Sequence, residues 1–304
     1  MAVASVRGAR GVRGVRGVRG VRGVRGVHGV RGVRGARGAR GAADPGHAVV
    51  AAACARGSVR VVSRPLLRAR GLSVGYPGRR LLASLDLDVA SGEVLAVLGA
   101  NGSGKSTLLR TLTGLQPALA GTVELDGQAV AALDRVRIAR VVAYLPQAHA
   151  PGPLTVRETV LLGRAPHIAR FARPRDADVA IADDALAAVG MLAHAQRPLA
   201  RMSGGERQLV GIARVLAQGA RLLFFDEPTT GLDLGNQTLV VDRIGELAAR
   251  GLAVVFTTHD PRHAAAVASR ALLLLRDGAA QLAPVSAALD PALLERVYGV
   301  PVRL

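Results

Sequence analysis

A glycine-rich stretch that could hold a phosphate group is the strongest chemical feature of the sequence. Residues 99–107 read Gly-Ala-Asn-Gly-Ser-Gly-Lys-Ser-Thr, which fits the G-x-x-x-x-G-K-[ST] pattern of a nucleotide phosphate-binding loop. Glycines let such a loop curl so that successive backbone N–H groups point at one anion. Lys105 would contact the β- and γ-phosphates, and the Ser106 hydroxyl would bind Mg²⁺. The pattern therefore predicts a nucleotide site.

The elements on either side of this loop are those that a phosphate site needs. Residues 93–98 form a short apolar run of strand length, and residues 105–112 have helical spacing. The loop is therefore expected at a strand-to-helix turn, where the positive end of the helix faces the anion. Lys105 is also the only lysine among the forty basic residues of the chain, all others being arginine.

Two further stretches have residue types that suit a phosphate or a metal ion. Ser203, Gly204 and Gly205 precede an amphipathic helix predicted over residues 206–218, which is either a second anion-binding helix start or an ordinary capped helix. The apolar strand 222–225 runs into Asp226 and Glu227. At the carboxyl end of a buried strand, Asp226 could hold Mg²⁺ through water while Glu227 orients an attacking water; the alternative is a solvated acidic loop.

Two further residues, Tyr76 and His259, are weaker candidates for the site. Tyr76 lies on a predicted turn upstream of the phosphate loop, where its ring could stack on a base or simply pack. His259 follows the buried strand 252–258, either as a polar terminator or as part of the site.

The order of the predicted elements indicates an α/β protein. Antiparallel strands 66–74 and 81–89 open the folded region, and strands 121–126 and 141–145 follow the phosphate-loop helix. Residues 150–201 are predicted to be a mainly helical insertion, with a basic, proline-containing loop at 164–175. The chain is predicted to end with one helix over residues 284–297.

Residues 1–64 differ in composition from the rest. They contain fourteen arginines and one aspartate, which is +13 of the net charge of +18, and a glycine recurs at every third position from Gly8 to Gly41. This composition cannot bury a core, so we expect disorder, or translation that truly begins downstream near residue 60. A basic arm that touches RNA or an anionic membrane is the alternative, although no aromatic residue is interleaved to stack on bases.

The cysteine count and the lengths of the apolar runs limit the class of protein. Cys54 is the only cysteine, which excludes an internal disulfide and a cysteine metal cluster. No apolar run reaches eighteen residues, so no stretch of the sequence is expected to span a membrane.

Taken in order, these motifs resemble the ATP-binding-cassette (ABC) ATPases over residues 65–304, with Gln147 and Asp233 completing the pattern. The resemblance implies a P-loop NTPase core with a mixed sheet, an antiparallel β subdomain and an inserted helical subdomain. Two departures are visible: Met202 stands where leucine is commonest and Glu206 where glutamine is.

The resemblance also implies a role for each matching residue. Tyr76 would stack on adenine, Gln147 would reach Mg²⁺ and sense a permease, and His259 would act as the switch histidine. The residues that would bind ATP are Tyr76, Gly99, Asn101, Gly102, Gly104, Lys105, Ser106, Thr107, Ser203, Gly204, Gly205 and Asp233. Those that would bind Mg²⁺ are Ser106, Gln147 and Asp226, and those that would take part in catalysis are Glu227, His259 and Gln147.

Two helix starts that both suit phosphate favour a head-to-tail dimer in which each signature sequence (residues 202–208) completes the partner's ATP site. Such a dimer would power a separate integral-membrane permease from the cytoplasmic face of the membrane, with a substrate-binding protein as an indirect partner. Residues 154–167, 232–237 and 297–301 resemble iron-siderophore, haem and cobalamin importer ATPases. The alternatives are a metal-ion importer subunit and a soluble ABC ATPase acting on nucleic acid or cluster assembly. Nucleic acid is the less favoured partner, since there is one cassette and no coiled-coil insertion.

Overall fold

A six-stranded sheet forms the centre of the protein. The computed structural model describes residues 64–147 and 152–302, so the predictions made for residues 1–63 lie outside the described residues. The strand order is β10-β9-β3-β8-β7-β6. Neighbouring strands are parallel except for β10 and β9, which pair antiparallel at one edge. The strands are β3 (Val94–Gly99), β6 (Val142–Leu145), β7 (Leu222–Phe225), β8 (Ala253–Thr258), β9 (Arg270–Leu274) and β10 (Ala280–Pro284).

A second, antiparallel sheet packs against one face of the first. Its strand order is β2-β1-β4-β5. The strands are β1 (Leu67–Tyr76), β2 (Arg79–Val89), β4 (Ala120–Leu125) and β5 (Gln128–Ala129). The turn between β1 and β2 is at Pro77 and Gly78, shorter than the turn predicted over residues 75–78, so Tyr76 ends β1 and does not lie on the turn.

Nine α-helices surround the central sheet in the part of the chain that the structure describes. They are α1 (Lys105–Leu112), α2 (Arg135–Val141), α3 (Val156–Leu161), α4 (Asp176–Ala188), α5 (Gly204–Gln218), α6 (Leu234–Ala249), α7 (Pro261–Val267), α8 (Val285–Ala288) and α9 (Pro291–Tyr298). Short 3₁₀ turns cover residues 130–132, 162–167, 192–194 and 199–201.

The central sheet is buried on both faces. Leu95 and Val97 of β3 point into a core shared with the antiparallel sheet and α1, whereas Ala96 and Leu98 point into a core shared with the other helices. Parallel strands covered on both sides read as continuous apolar runs, which is why residues 94–98 and 222–225 could be recognised in the sequence.

The segment predicted as a helical insertion contains α3 and α4, which pack on each other and on α5. Its two ends meet, because Leu199 N donates to Leu154 O at 2.9 Å and Val156 N to Arg197 O at 2.9 Å. Thr155 begins α3 with a capping box to Glu158. The extent of this insertion as a separate subdomain stays a prediction.

The single C-terminal helix predicted over residues 284–297 is two helices in the structure, α8 and α9. Residues 280–284 form the edge strand β10, and the helix that follows is broken between α8 and α9. The break lies before Pro291, which lacks a backbone N–H and disfavours helical geometry in the preceding residue. Asp290 instead caps α9, accepting from Leu293 N at 3.1 Å. The predicted loop at 164–175 also begins within a 3₁₀ turn, at residues 162–167.

Among residues 64–147 and 152–302, no helix is both long and apolar enough to cross a membrane.

Candidate nucleotide site

The glycine-rich loop joins β3 to α1, which is the context that its sequence requires. Gly102 and Gly104 have φ values of 78° and 97°, in the left-handed region that side chains disfavour. At Gly99 a Cβ atom would lie 2.5 Å from Ser103 Oγ and 3.2 Å from Leu274 Cβ, so a larger residue there would force its neighbours to shift. The loop therefore curls over the N-terminus of α1, whose backbone N–H groups are available to an anion.

Lys105, the first residue of α1, bends back into the loop. Its ammonium group donates to Gly99 O at 2.9 Å and to Ala100 O at 3.2 Å, and it lies 3.3 Å from Glu227 Oε1. Only 6% of the residue is exposed. The cation therefore sits at the floor of the loop, between its carbonyl groups and the acid at the end of a neighbouring strand.

The acid pair lies where β7 leaves the central sheet. Asp226 is 1% exposed, and its two carboxylate oxygens accept from Thr257 Oγ1 at 2.9 Å and from Tyr144 OH at 3.1 Å. Glu227 follows with a φ of 48°, a left-handed conformation that is uncommon outside glycine, and its backbone N–H donates to Thr257 Oγ1 at 2.7 Å. The interpretation of the pair as a solvated acidic loop is therefore wrong, since both residues are buried.

The Glu227 carboxylate is surrounded by donors. Thr230 Oγ1 donates to Oε2 at 2.9 Å, Gln147 Nε2 donates to the same oxygen at 3.3 Å, and His259 Nδ1 lies 3.5 Å from it. Burial by itself would raise the pKa of Glu227, but the Thr230 hydrogen bond and the Lys105 charge outweigh it and lower the pKa below its usual value. Glu227 is therefore a carboxylate at neutral pH, able to accept a hydrogen bond from water.

A cleft of about 650 Å³ opens above these groups. Its lining joins the loop and Glu227 to the predicted residues Tyr76, Gln147 and His259, together with three residues that were not predicted, Arg79, Leu81 and Thr230. The residues that line it are Tyr76, Arg79, Leu81, Asn101, Gly102, Gly104, Lys105, Ser106, Thr107, Gln147, Glu227, Thr230 and His259. Gly99 and Asp226 lie outside this lining. Gly99 O accepts from the lining residue Lys105, and Asp226 is linked through the Thr257 hydroxyl to the backbone of Glu227.

Tyr76 stands at the rim of the cleft, at the end of β1. The residue is 47% exposed to solvent, and its hydroxyl is 3.3 Å from Thr107 Oγ1. An aromatic ring anchored at its polar end and open on its face can stack on a planar base. The packing alternative is weakened, because a core tyrosine would be more deeply covered.

The second predicted phosphate-binding helix start lies outside this cleft. Ser203 caps α5 through a capping box with Glu206, accepting from Glu206 N at 3.2 Å. An added Cβ at Gly204 would meet no atom within 4 Å, so the helix start is open to the surroundings. Asp233 caps α6, accepting from Asn236 N at 2.8 Å, and it is also absent from the cleft lining. One chain therefore brings together the loop, the acids, Gln147 and His259, but not residues 203–205 or Asp233.

Three residues that contact Asp226 or Glu227 were not predicted from the sequence. Tyr144, Thr230 and Thr257 all donate hydrogen bonds to Asp226 or Glu227. Thr230 follows Glu227 by three residues and could have been weighed as a local partner. Tyr144 and Thr257 could have been flagged only as polar residues within buried strands.

Comparisons with known proteins show which family the chain belongs to. A protein-family model described as ABC transporter matches residues 82–230. The hemin import ATP-binding protein HmuV of Rhodococcus jostii is 42% identical over 239 residues, covering 78% of this chain and 81% of that protein. The iron(3+)-hydroxamate import ATP-binding protein FhuC of Bacillus subtilis is 36% identical over 235 residues, covering 77% of this chain and 87% of that protein.

A solved structure agrees as well. A metal-chelate type ABC transporter in an inward-facing conformation superposes with a TM-score of 0.70 at 33% identity, covering 78% of this chain and 90% of that one. The chain therefore belongs to the ABC transporter family, as one of its ATP-binding, ATP-hydrolysing proteins.

Proposed function

We propose that this chain powers a separate membrane permease that imports an iron siderophore, haem or cobalamin. The observation that carries the proposal is the ion pair of Lys105 with Glu227 at the floor of the phosphate loop, with the buried Asp226 next to Glu227 in the chain. The cargo class rests on the relatives named for hemin and iron(3+)-hydroxamate import and on the structure named for a metal-chelate transporter.

In this proposal ATP lies in the cleft with its base on Tyr76 and its phosphates in the loop. The backbone N–H groups of residues 101–105 and the Lys105 ammonium group would hold the β- and γ-phosphates. The residues of the loop are the ones predicted for this role: Gly99, Asn101, Gly102, Gly104, Lys105, Ser106 and Thr107.

Glu227 would orient the water that attacks the γ-phosphate. Its carboxylate is ionised and lies at the edge of the cleft, with Gln147 and His259 beside it. In phosphoryl transfer, positioning and electrostatic stabilisation supply most of the rate, so a correctly placed carboxylate is what this site needs. His259 would contact the γ-phosphate side of the cleft and respond to its presence.

Mg²⁺ suits the remaining donors. Ser106 supplies a hydroxyl, Gln147 an amide oxygen and Asp226 a buried carboxylate, which are hard oxygen ligands of the kind that Mg²⁺ takes alongside phosphates and water. When bound, the ion would neutralise charge on the β- and γ-phosphates. Tyr144 and Thr257 would hold the Asp226 carboxylate in place for it.

A second copy of the chain would complete each site. Ser203, Gly204 and Gly205 lie at the start of α5, which is open at Gly204, and Asp233 caps α6, yet none of them lines the cleft of their own chain. In a head-to-tail dimer these residues would face the γ-phosphate held by the partner. ATP would then favour the closed dimer, because the γ-phosphate makes contacts there that it cannot make with one subunit.

The permease would dock on the helical segment. An apolar groove of about 440 Å³ runs between α3 and the residues that follow it, with Leu154, Leu161 and Ile168 among its lining. Phe171, beside the groove, is 94% exposed. Exposed apolar side chains around a groove are typical of a contact surface for another protein. The ATPase would therefore bind the cytoplasmic face of the membrane as a peripheral subunit.

Reconstitution tests the proposal. The chain would be purified with its permease, placed in proteoliposomes with the substrate-binding protein, and supplied with haem, a ferric hydroxamate, cobalamin or a free metal ion. We expect ATP-dependent accumulation of one of the three chelates, which the Lys105→Ala variant abolishes. Uptake of the free ion alone would favour a metal-ion importer. ATPase activity stimulated by DNA or RNA, with no uptake, would favour a soluble ABC ATPase and overturn the transport function.

A further inference from the structure

A buried hydroxyl stands between the two acids of the site. β8 reads Ala-Val-Val-Phe-Thr-Thr, all of it buried, and Thr257 is 0% exposed. A hydroxyl enclosed by apolar neighbours is unfavourable unless it is hydrogen-bonded, and valine would fit such a strand equally well. A threonine at this position therefore indicates that its hydroxyl has hydrogen-bonding partners.

The register of the sheet explains how Thr257 reaches the acids. The last paired residues of β7 and β8 are Phe225 and Phe256. Asp226 and Thr257 are the next residues of the two segments, just beyond the end of the backbone pairing. Side-chain contacts replace the backbone ladder there. Thr257 remains fixed on its other side, because it pairs with Val97 of β3 immediately before the phosphate loop.

The hydroxyl of Thr257 both donates and accepts a hydrogen bond. Thr257 Oγ1 donates its one hydrogen to Asp226 Oδ1 at 2.9 Å and accepts from the Glu227 backbone N–H at 2.7 Å. The hydroxyl therefore links the side chain of the first acid to the backbone of the second. Glu227 needs this support, because its φ of 48° is a conformation that persists only where the surrounding structure holds it.

The second oxygen of Asp226 is held from the other side. Tyr144 OH donates to Oδ2 at 3.1 Å, and burial together with the Asp226 charge raises the pKa of Tyr144 to about 12, so the phenol keeps its proton. The two donors on opposite oxygens fix the rotation of the carboxylate. Of the two, only Thr257 also contacts Glu227.

We propose that Thr257 is a positioning residue for ATP hydrolysis, which sets the Asp226 carboxylate and the Glu227 backbone together through one hydroxyl. It contacts neither nucleotide nor attacking water, and it acts through the two acids. The inference rests on the roles given to Asp226 and Glu227 in the proposed function.

The test compares Thr257→Val, which keeps the shape and removes the hydroxyl, with Thr257→Ser, which keeps the hydroxyl. We expect Thr257→Val to lower kcat about 10-fold or more while the Kd for ATP changes less than about 3-fold, and Thr257→Ser to stay within about 3-fold of the wild type in both. The Mg²⁺ concentration that half-saturates the rate should rise in the valine variant alone. Thr159→Val is the matched control, since Thr159 is also buried and donates within its own helix, to Thr155 O at 2.9 Å.

Hydrogen exchange supplies a readout that is independent of turnover. In the protein without nucleotide, the Glu227 amide should exchange faster in Thr257→Val than in the wild type or Thr257→Ser. If Thr257→Val does not fold, Thr257→Ala, which also lacks the hydroxyl and adds no volume, carries the same expectations.

The outcomes separate this inference from the proposed function. A valine variant with wild-type kcat and unchanged exchange at Glu227 overturns the role of Thr257, and so does an equal loss in the valine and serine variants. Both results leave the ATPase itself standing. Absence of ATP hydrolysis in the wild type and in Thr159→Val would instead overturn the assigned site.

Discussion

Lys105 Nζ lies 3.3 Å from Glu227 Oε1, and both residues are buried. The loop cation and the strand-end acid therefore form an ion pair across the floor of the cleft. A phosphate in the loop would compete with Glu227 for the lysine, so phosphate binding would loosen the hold on the carboxylate. The pair links recognition of the γ-phosphate to release of the acid that we assign to catalysis.

The first prediction concerns the loop cation. Lys105→Ala removes the charge that would meet the β- and γ-phosphates, and we expect the Kd for ATP to rise about 100-fold or more, which corresponds to about 2.7 kcal/mol. Isothermal titration calorimetry would measure it. Arg243→Ala, which removes a half-buried cation paired with Glu246 on α6, is the control and should bind ATP normally. Retention of tight ATP binding in Lys105→Ala would contradict the phosphate role.

The second prediction concerns the catalytic acid. Glu227→Gln keeps the size of the side chain but removes the charge that would orient water, and we expect kcat to fall about 100-fold or more with ATP binding retained. The variant should accumulate as an ATP-bound dimer, measurable by light scattering with and without ATP. Turnover at the wild-type rate would exclude Glu227 from this role.

The third prediction concerns the partner-facing helix start. A Cβ atom added at Gly204 meets no atom of its own chain within 4 Å, so the backbone there accepts a side chain and we expect Gly204→Arg to fold. Because it would obstruct the second copy, we expect ATP binding by the monomer to remain while hydrolysis is lost. Placed in the Glu227→Gln background, it should also prevent the ATP-dependent dimer. Full hydrolysis by a monomer carrying Gly204→Arg would disprove the shared site.

The fourth prediction concerns pH. The pKa of Glu227 is lowered in the folded protein, where burial that would raise it is outweighed by the Thr230 hydrogen bond and by Lys105. The ionised acid therefore stabilises the fold above its usual pKa, and this contribution disappears as the pH falls through the lowered value. Thr230→Val removes the donor at 2.9 Å and should raise the pKa of Glu227.

The expected result is an acid limb of the kcat profile displaced to higher pH in Thr230→Val. Activity at pH 8 should change little, and Thr230→Ser should restore the wild-type profile. A valine variant whose profile is reduced evenly at all pH values would show that Thr230 matters for some reason other than the ionisation of Glu227.

The fifth prediction concerns the basic N-terminal repeat. Removal of residues 1–63 keeps Arg64, which donates to Gly127 O at 3.2 Å, and leaves the whole matched family region intact. We expect kcat and KM for ATP to remain within about 2-fold of the full chain. Side-by-side ATPase assays would check this, and a large loss would show that the repeat contributes to the enzyme. Intact mass of the natively expressed protein would reveal where translation begins.

Much of the fold could be predicted because its signals are local. The strand-loop-helix around residues 94–112 appears as an apolar run, a glycine pattern and helical spacing within twenty residues. Ser203 and its capping partner Glu206 lie three residues apart, so the start of α5 could be predicted as well. The break before Pro291 is also a local signal, since proline disfavours helical geometry in the preceding residue, and it divides the single helix predicted over residues 284–297 into α8 and α9.

The sequence by itself determined which residues could bind a nucleotide and its metal ion, since the glycines and the single lysine suit a phosphate and the strand-end acids suit Mg²⁺ and water. Tertiary structure alone decided which buried hydroxyls hold those acids. Thr257 is 31 residues from Asp226 and Tyr144 is 82, and each meets it because parallel strands align their carboxyl ends along one edge of the sheet. Such contacts depend on strand order, which no local pattern specifies.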